Sequence, residues 1–319
     1  VIVPPEAGDG SRPPLARSAV DRAAHLRGDE EWLAAAWRTA LVLVVDTVAG
    51  GRALVTDEGG AVRLVLLPSA EAPAATPDER LFLGVDADGT ALFAIDAPLG
   101  KRPGARAVTL RDVGHLLDDR EAGLFTAGVA LANWHTAHPY SPATGQLTAV
   151  REAGWTRVDP GGQQFWPRTD PAVIVLVHDG VAGPDGRCLL GHAGLWRAEG
   201  VRRFSCLAGF VEAGESAEAA VAREVGEEVG VEVGHLEYVG SQAWPFPQSL
   251  MLGFTAYADP AQPVRVDRTE IAEARWFSRR EVAAAYAGER VDLGDGDALA
   301  LPTNASIAAF LVDRWLRRD

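Results

Sequence analysis

Leu207–Val231 reads LAGFVEAGESAEAAVAREVGEEVGV, and the spacing within it decides how the rest of the chain is read. A glycine-bearing loop, Ala208-Gly209-Phe210, leads into a strongly helix-forming run that ends at Gly230. At about 3.6 residues per turn, Glu224, Glu227 and Glu228 fall on one arc of roughly 100°. Val221, Val225 and Val229 fall on the neighbouring arc, which the pattern predicts to be buried. Carboxylates on one helix face beside a loop form a seat suited to hard divalent cations. The same spacing also fits a solvated acidic face on which Arg223 supports Glu227 at i,i+4. Spacing alone leaves both readings open.

Working outward, the composition bounds the class. Of 319 residues, 47% are hydrophobic and 23% charged, the make-up of a soluble globular protein with room for two domains. A net charge of −14 argues against coating long nucleic acid or anionic membrane through a general basic field. Binding of one short, defined nucleic-acid end is left open. Cys188 and Cys206 are too few for a disulfide scaffold, so a reducing cytoplasm is the expected setting. No apolar run reaches the ~18 residues of a membrane span, and no charged start with an apolar core marks a signal peptide. The chain starts at Val1 rather than Met, and native residues are expected before it.

In chain order, Pro-, Gly- and Arg-rich residues 1–20 predict a flexible arm. Residues 21–39 predict a helix, with Trp32, Leu33 and Trp37 at helical spacing. Strands are predicted at 40–48, 52–56, 61–67, 81–86 and 90–96, separated by turn signals such as Gly50-Gly51 and Glu58-Gly59-Gly60. Residues 1–110 hold no catalytic constellation and read as a packing or oligomerisation domain. Residues 112–138 predict a helix ending in His135 and His138, a satisfied pair at a helix end rather than a metal site. Residues 139–168 read as a linker subdomain between the amino-terminal domain, 21–138, and a tighter α/β domain, 169–319. In that last domain, strands are predicted at 172–178, 187–192, 235–240, 251–258 and 273–277, with helices over 279–287 and from Pro302.

The opening stretch then matches, residue by residue, a pattern that periodicity alone cannot supply. Five residues separate Gly209 from Glu215, and seven more precede Arg223-Glu224. Val225, Glu227-Glu228, Gly230 and Val231 complete it. This resembles the Nudix box. Downstream, SQAWPFPQS at 241–249 is similar to the SQPWPFPQS element of bacterial NADH pyrophosphatases, the NudC-like branch of Nudix hydrolases. The resemblance covers residues 110–319 well and the amino-terminal part loosely. It implies an α+β fold: a C-terminal Nudix α/β/α sandwich on a mixed sheet, preceded by a β-rich amino-terminal domain and a degenerate zinc-ribbon-like linker.

What it implies chemically is metal-dependent hydrolysis of the diphosphate of NAD(H) to NMN(H) and AMP, and removal of NAD caps from RNA 5′ ends. By that resemblance Ala208 offers its carbonyl to Mg²⁺ or Mn²⁺, with Glu224, Glu227, Glu228 and Glu270 as the carboxylate set. Glu228 is the first choice for general base. Gly209, Glu215 and Arg223 brace the loop and helix. Phe210 and Trp244 are expected to stack on flat rings, with Gln242, Gln248, Ser249 and the backbone at Ala308 as further substrate contacts. A homodimer is also implied. Two departures stand out. Where relatives carry two CxxC pairs, this chain has Ser141, Thr144, Asp159 and Gly162, so structural zinc is predicted absent; a substitute set of His135, His138 and Asp159 is the weaker alternative. Ala243 replaces the family's proline, which motivates a second reading as a broader nucleoside-diphosphate-X hydrolase, of the kind that cleaves ADP-ribose. A nucleotide-binding regulator without catalysis is the third, and the intact glutamates speak against it.

Overall fold

A computed structural model describes residues 12–194, 197–198 and 200–317. The chain divides between Thr169 and Asp170 into two compact units, and Ala243–Ser249 belongs to the first. Residues 1–11 of the expected arm lie outside the described residues. Of its remainder, Leu15 is buried, and Arg17 donates to the carbonyls of Gly114 and Leu117 at 3.3 and 3.0 Å. None of the described helices is long and apolar enough to cross a membrane.

In the first unit the apolar run Leu41–Val45 lies parallel to Ala91–Asp96 and antiparallel to Leu66–Pro68. Leu81–Val85 completes a four-stranded sheet. A second sheet places Arg52–Glu58 between Ala61–Leu64 and Ala105–Thr109. The predicted strand 61–67 is therefore two strands, because the chain changes sheets at Val65. Ala105–Thr109 escaped prediction, since Ala and Arg alternate there with no β-branched run before Val108. The helix expected over 21–39 is also shorter. Asp29 accepts from the Trp32 amide at 2.9 Å and so caps Glu30–Trp37 as the actual helix. Asp118 caps the long helix Asp119–Ala137 in the same way. That helix buries Leu124, Phe125, Val129 and Leu131 in one cluster with Leu43, Val45 and Leu92.

The linker subdomain is a three-stranded meander of Ala149–Arg151, Thr156–Val158 and Gln164–Phe165. Its two turns, where the family resemblance placed the ribbon's CxxC pairs, close by hydrogen bonding. Ser141 donates its hydroxyl to Asp159 Oδ2 at 3.1 Å in a buried contact. The same hydroxyl oxygen accepts from the Ala143 and Thr144 amides at 3.3 and 3.2 Å. Asp159 Oδ1 accepts from the Gln163 amide at 2.9 Å, and Gly162 donates to the Asp159 carbonyl at 2.9 Å. His135 is equally engaged: Nε2 donates to the Gly154 carbonyl and Nδ1 accepts from Arg157, both at 2.8 Å, a tautomer assigned from its partners. Of the substitute ligand set His135, His138 and Asp159, the first and last are thus engaged in hydrogen bonds within the subdomain.

In the second unit Asp170–His178 is the central strand, in the order Gly234–Trp244, Ser249–Tyr257, Asp170–His178, Arg187–His192, Glu273–Ser278, with Leu207–Phe210 also on the central strand. Its alternation builds the sandwich. Val173, Val175 and Val177 pack against Val221, Val225 and Val229 of the helix Ala217–Val229. Ile174 and Leu176 pack on the other face against Ile307, Leu311 and Trp315 of Ile307–Arg317. Cys188 and Cys206 are buried in that second layer, where loss of solvent pushes the Cys206 thiol up to about 12. They are core residues.

Burial pushes His135 down from its ordinary 6.5 to about 4, and the neighbouring Arg157 cation adds to the effect. The unfolded chain therefore takes up a proton first. Stability is full above about pH 6.5, falls by up to roughly 3 kcal/mol as the pH drops towards 4, and changes no further from this group below that. Thermal or urea melts of the parent between pH 7 and 4 should show this loss. His135→Gln, whose amide keeps a donor for Gly154, should flatten it.

Candidate active site

The helix Ala217–Val229 is framed by local chemistry. Ser216 accepts from the Ala219 amide at 3.1 Å and caps the start. Gly230, at φ 67°, closes the end in the left-handed conformation that favours glycine. The valine stripe against the central strand fixes the rotation of the helix, and with it the arc that carries the glutamates. Glu224 and Glu228 are only 8% and 5% exposed.

The strand Leu207–Phe210 pairs antiparallel with the central strand, Gly209 opposite Val173. The Glu224 carboxylate packs directly over Gly209: a Cβ built there would lie 1.9–2.1 Å from its carboxyl atoms. This is why glycine stands at that position, and the reason is space. The Ala208 amide donates to Glu228. Phe210, next along the strand, is 59% exposed.

Arg223 ties loop to helix. It forks onto Glu215 through Nε and Nη2, both at 2.8 Å, and Nη2 also reaches the Phe210 carbonyl at 2.9 Å. Nη1 donates to Glu224 and Glu227, each at 2.9 Å. Those bonds and the Glu212 amide hold the Glu215 carboxyl down at about 2. Glu228 behaves in the opposite way. Burial pushes it up to about 8, and the charges of Glu224 and Glu270 add to this against the one amide bond. Its Oε2 is buried without a hydrogen-bond partner. Burial also raises Glu224, opposed by Arg223.

Glu270 is sequence-distant but brought close enough for its charge to act on both. The path is visible: Arg265 donates to the Val229 carbonyl at 2.7 Å, Asp267 to the Glu228 carbonyl at 3.0 Å, and Glu270 back to Asp267 at 3.2 Å. Among the described residues, no three His, Cys, Asp or Glu side chains enclose a metal as they stand, and Glu227 is turned to Arg223. The donor set nonetheless fits a hard divalent cation: acid oxygens only, mutually repelling, one of them buried and unpartnered.

The expected substrate contacts are distributed differently. Gln242 is 1% exposed and donates to the Ala305 carbonyl at 3.1 Å. Ala308 is buried in the layer around Ile307 and Leu311. Trp244, Gln248 and Ser249 fall in the segment grouped with the first unit. There Trp244 meets Phe246 edge to face at 4.9 Å, the Arg111 guanidinium lies 4.1 Å over Phe246, and Asn133 donates to the Pro245 carbonyl at 2.9 Å. Arg111 and Asn133 were not singled out from the sequence. Nothing local marks either as the anchor of a segment more than a hundred residues away.

Gly209→Ala tests the contact that places Glu224. The atoms that a methyl group would meet are the tip of a flexible side chain, so the fold accommodates it while the carboxylate moves. Melting should shift by no more than a few degrees, while diphosphate hydrolysis falls about 10²-fold, as expected for a displacement of about 1 Å. Circular dichroism melts alongside steady-state rates check both halves.

Comparison with known proteins adds independent findings. Residues 168–293 match the NUDIX domain, and residues 30–134 match a domain described as the NADH pyrophosphatase-like rudimentary NUDIX domain. The chain is 42% identical over 315 residues to the NAD-capped RNA hydrolase NudC of Mycobacterium tuberculosis, covering 96% of this chain and 95% of that one. It is 37% identical over 212 residues to the NAD-capped RNA hydrolase NUDT12 of Homo sapiens, covering 63% of this chain and 43% of that one.

Proposed function

This chain belongs to the Nudix hydrolase family, and we propose that it hydrolyses the diphosphate of NAD(H) to NMN(H) and AMP and removes NAD caps from RNA 5′ ends. The observation that carries the reading is the buried, mutually repelling pair Glu224 and Glu228 beside the exposed ring of Phe210. The relatives' names, which specify NAD-capped RNA hydrolases, support the substrate class.

Glu224, Glu227, Glu228 and Glu270, with the Ala208 carbonyl, are the groups that would hold Mg²⁺ or Mn²⁺. Such an ion, when bound, neutralises diphosphate oxygens and acidifies a water molecule. The chain's own residues do the rest. Glu228, buried beside the ion it would help to hold, is the group assigned to take a proton from the attacking water. Water adds to one phosphorus, the P–O–P bridge breaks, and the bridging oxygen leaves on the other phosphate. Phe210 offers a face on which a flat base can stack. Gly209, Glu215 and Arg223 position the glutamates.

The finer points of the reading are a homodimer, a cytoplasmic setting, and no structural zinc. The last is supported by the absence of any cysteine at Ser141, Thr144, Asp159 and Gly162 and by the Ser141–Asp159 hydrogen bond.

The test compares NADH, NAD, ADP-ribose and NAD-capped RNA with Mg²⁺ or Mn²⁺. NADH and capped RNA should be cleaved, and Glu228→Gln should lower turnover by about 10²–10⁴-fold without loss of fold. Cleavage of ADP-ribose with NADH untouched would sink the substrate assignment.

A further inference from the structure

The first unit holds a cavity of about 680 Å³, within the usual size of small-molecule sites. Its walls come from residues 27–34, 77–80 and 150–164, with Phe93. Among the described residues, none of the second unit lines it.

Several features set this cavity apart from a packing gap. Thr156 is 1% exposed and lines it, yet its hydroxyl meets no hydrogen-bond partner. Arg27 lines it too: its guanidinium lies 3.8 Å over the Trp155 ring while its Nε is buried and unpartnered. Buried polar groups left unmade cost stability, and a native fold retains few of them without use. The wall also carries Arg80, Arg151, Glu30 and Asp78. Among the described residues, none of these four charged side chains, nor Arg27, is in an ion pair. Glu152 and Ala153, consecutive wall residues and neither a glycine, sit at φ 49° and 47°. Such backbone is held against its preference and clusters at ligand sites.

The wall chemistry selects a ligand. Guanidiniums with free donors suit a phosphate. Carboxylates suit hydroxyl and amino donors, and Leu33, Phe93 and Val158 offer an apolar side. We propose that this cavity is a binding site for a mononucleotide, whose phosphate meets Arg27 and Arg151 and whose hydroxyl or amino donors meet Glu30 or Asp78. The proposal stands on first-unit residues alone and does not rest on the reaction assigned above.

The test is calorimetric titration of the full chain with AMP in EDTA, so that no divalent cation supports binding through the glutamates. One AMP per chain is expected, bound at least tenfold more tightly than inorganic phosphate. Arg27→Met and Arg151→Ala should each weaken AMP at least tenfold and change NADH hydrolysis less than twofold. Absence of metal-independent AMP binding, binding unchanged in both arginine variants, or phosphate binding as tightly as AMP would each overturn the proposal.

Discussion

The second unit depends on one guanidinium. Arg223 joins the loop residue Glu215, the strand carbonyl of Phe210 and the helix residues Glu224 and Glu227 through a single rigid plane. A lysine could not do this, because its three donors leave one point on a flexible stem rather than a fork. The tie also divides the carboxylates into two kinds. Glu215, held at about 2, is anionic at any physiological pH and serves only geometry. Glu228, on the same short stretch of chain, lies beyond the reach of Arg223 and sits near 8. One cation placed on one side of the helix therefore separates a lowered carboxylate from a raised one without any change of residue type.

Much of this was legible in the sequence because it is local. The valine stripe and the glutamate arc follow from helical periodicity, and both are where periodicity puts them. The need for glycine at 209 was legible only as fixed spacing; its cause, a carboxylate lying on the bare backbone, is a tertiary contact. The residues around Trp244 show the limit more sharply. Gln242 and Gln248 look alike in sequence, yet Gln242 is committed to the Ala305 carbonyl, a partner that no local pattern identifies. In the first unit, alternation located most strands but could not reveal that residues 61–67 serve two sheets, since the switch at Val65 leaves the apolar pattern almost unbroken.

The two units use similar materials to different ends. The first unit's long helix also carries acids, but they are spent on structure. Asp119 pairs with Arg17 at 3.2 Å, and Glu121 accepts from the Leu64 amide at 3.2 Å. A helix on a sheet with every carboxylate satisfied is scaffold, which accords with a match to a rudimentary NUDIX domain. In the second unit the same kind of packing leaves Glu228 Oε2 without a partner.

The difference between scaffold and site in this chain is therefore one of hydrogen-bond accounting rather than residue type. The linker turns make the point from the other side. Ser141 and Asp159 are buried and polar, as a metal site would be, but each finds its partners within the turns. A buried polar group that has been satisfied resists change, because removing one partner strands the other. A buried polar group that has not been satisfied keeps its full cost until something binds. Glu228 and Thr156 are both of the second kind, one on a helix of carboxylates and one on a wall between strained backbone and guanidiniums. Of the two, Glu228 also faces the charges of Glu224 and Glu270, so a cation held among them would relieve both its burial and that repulsion.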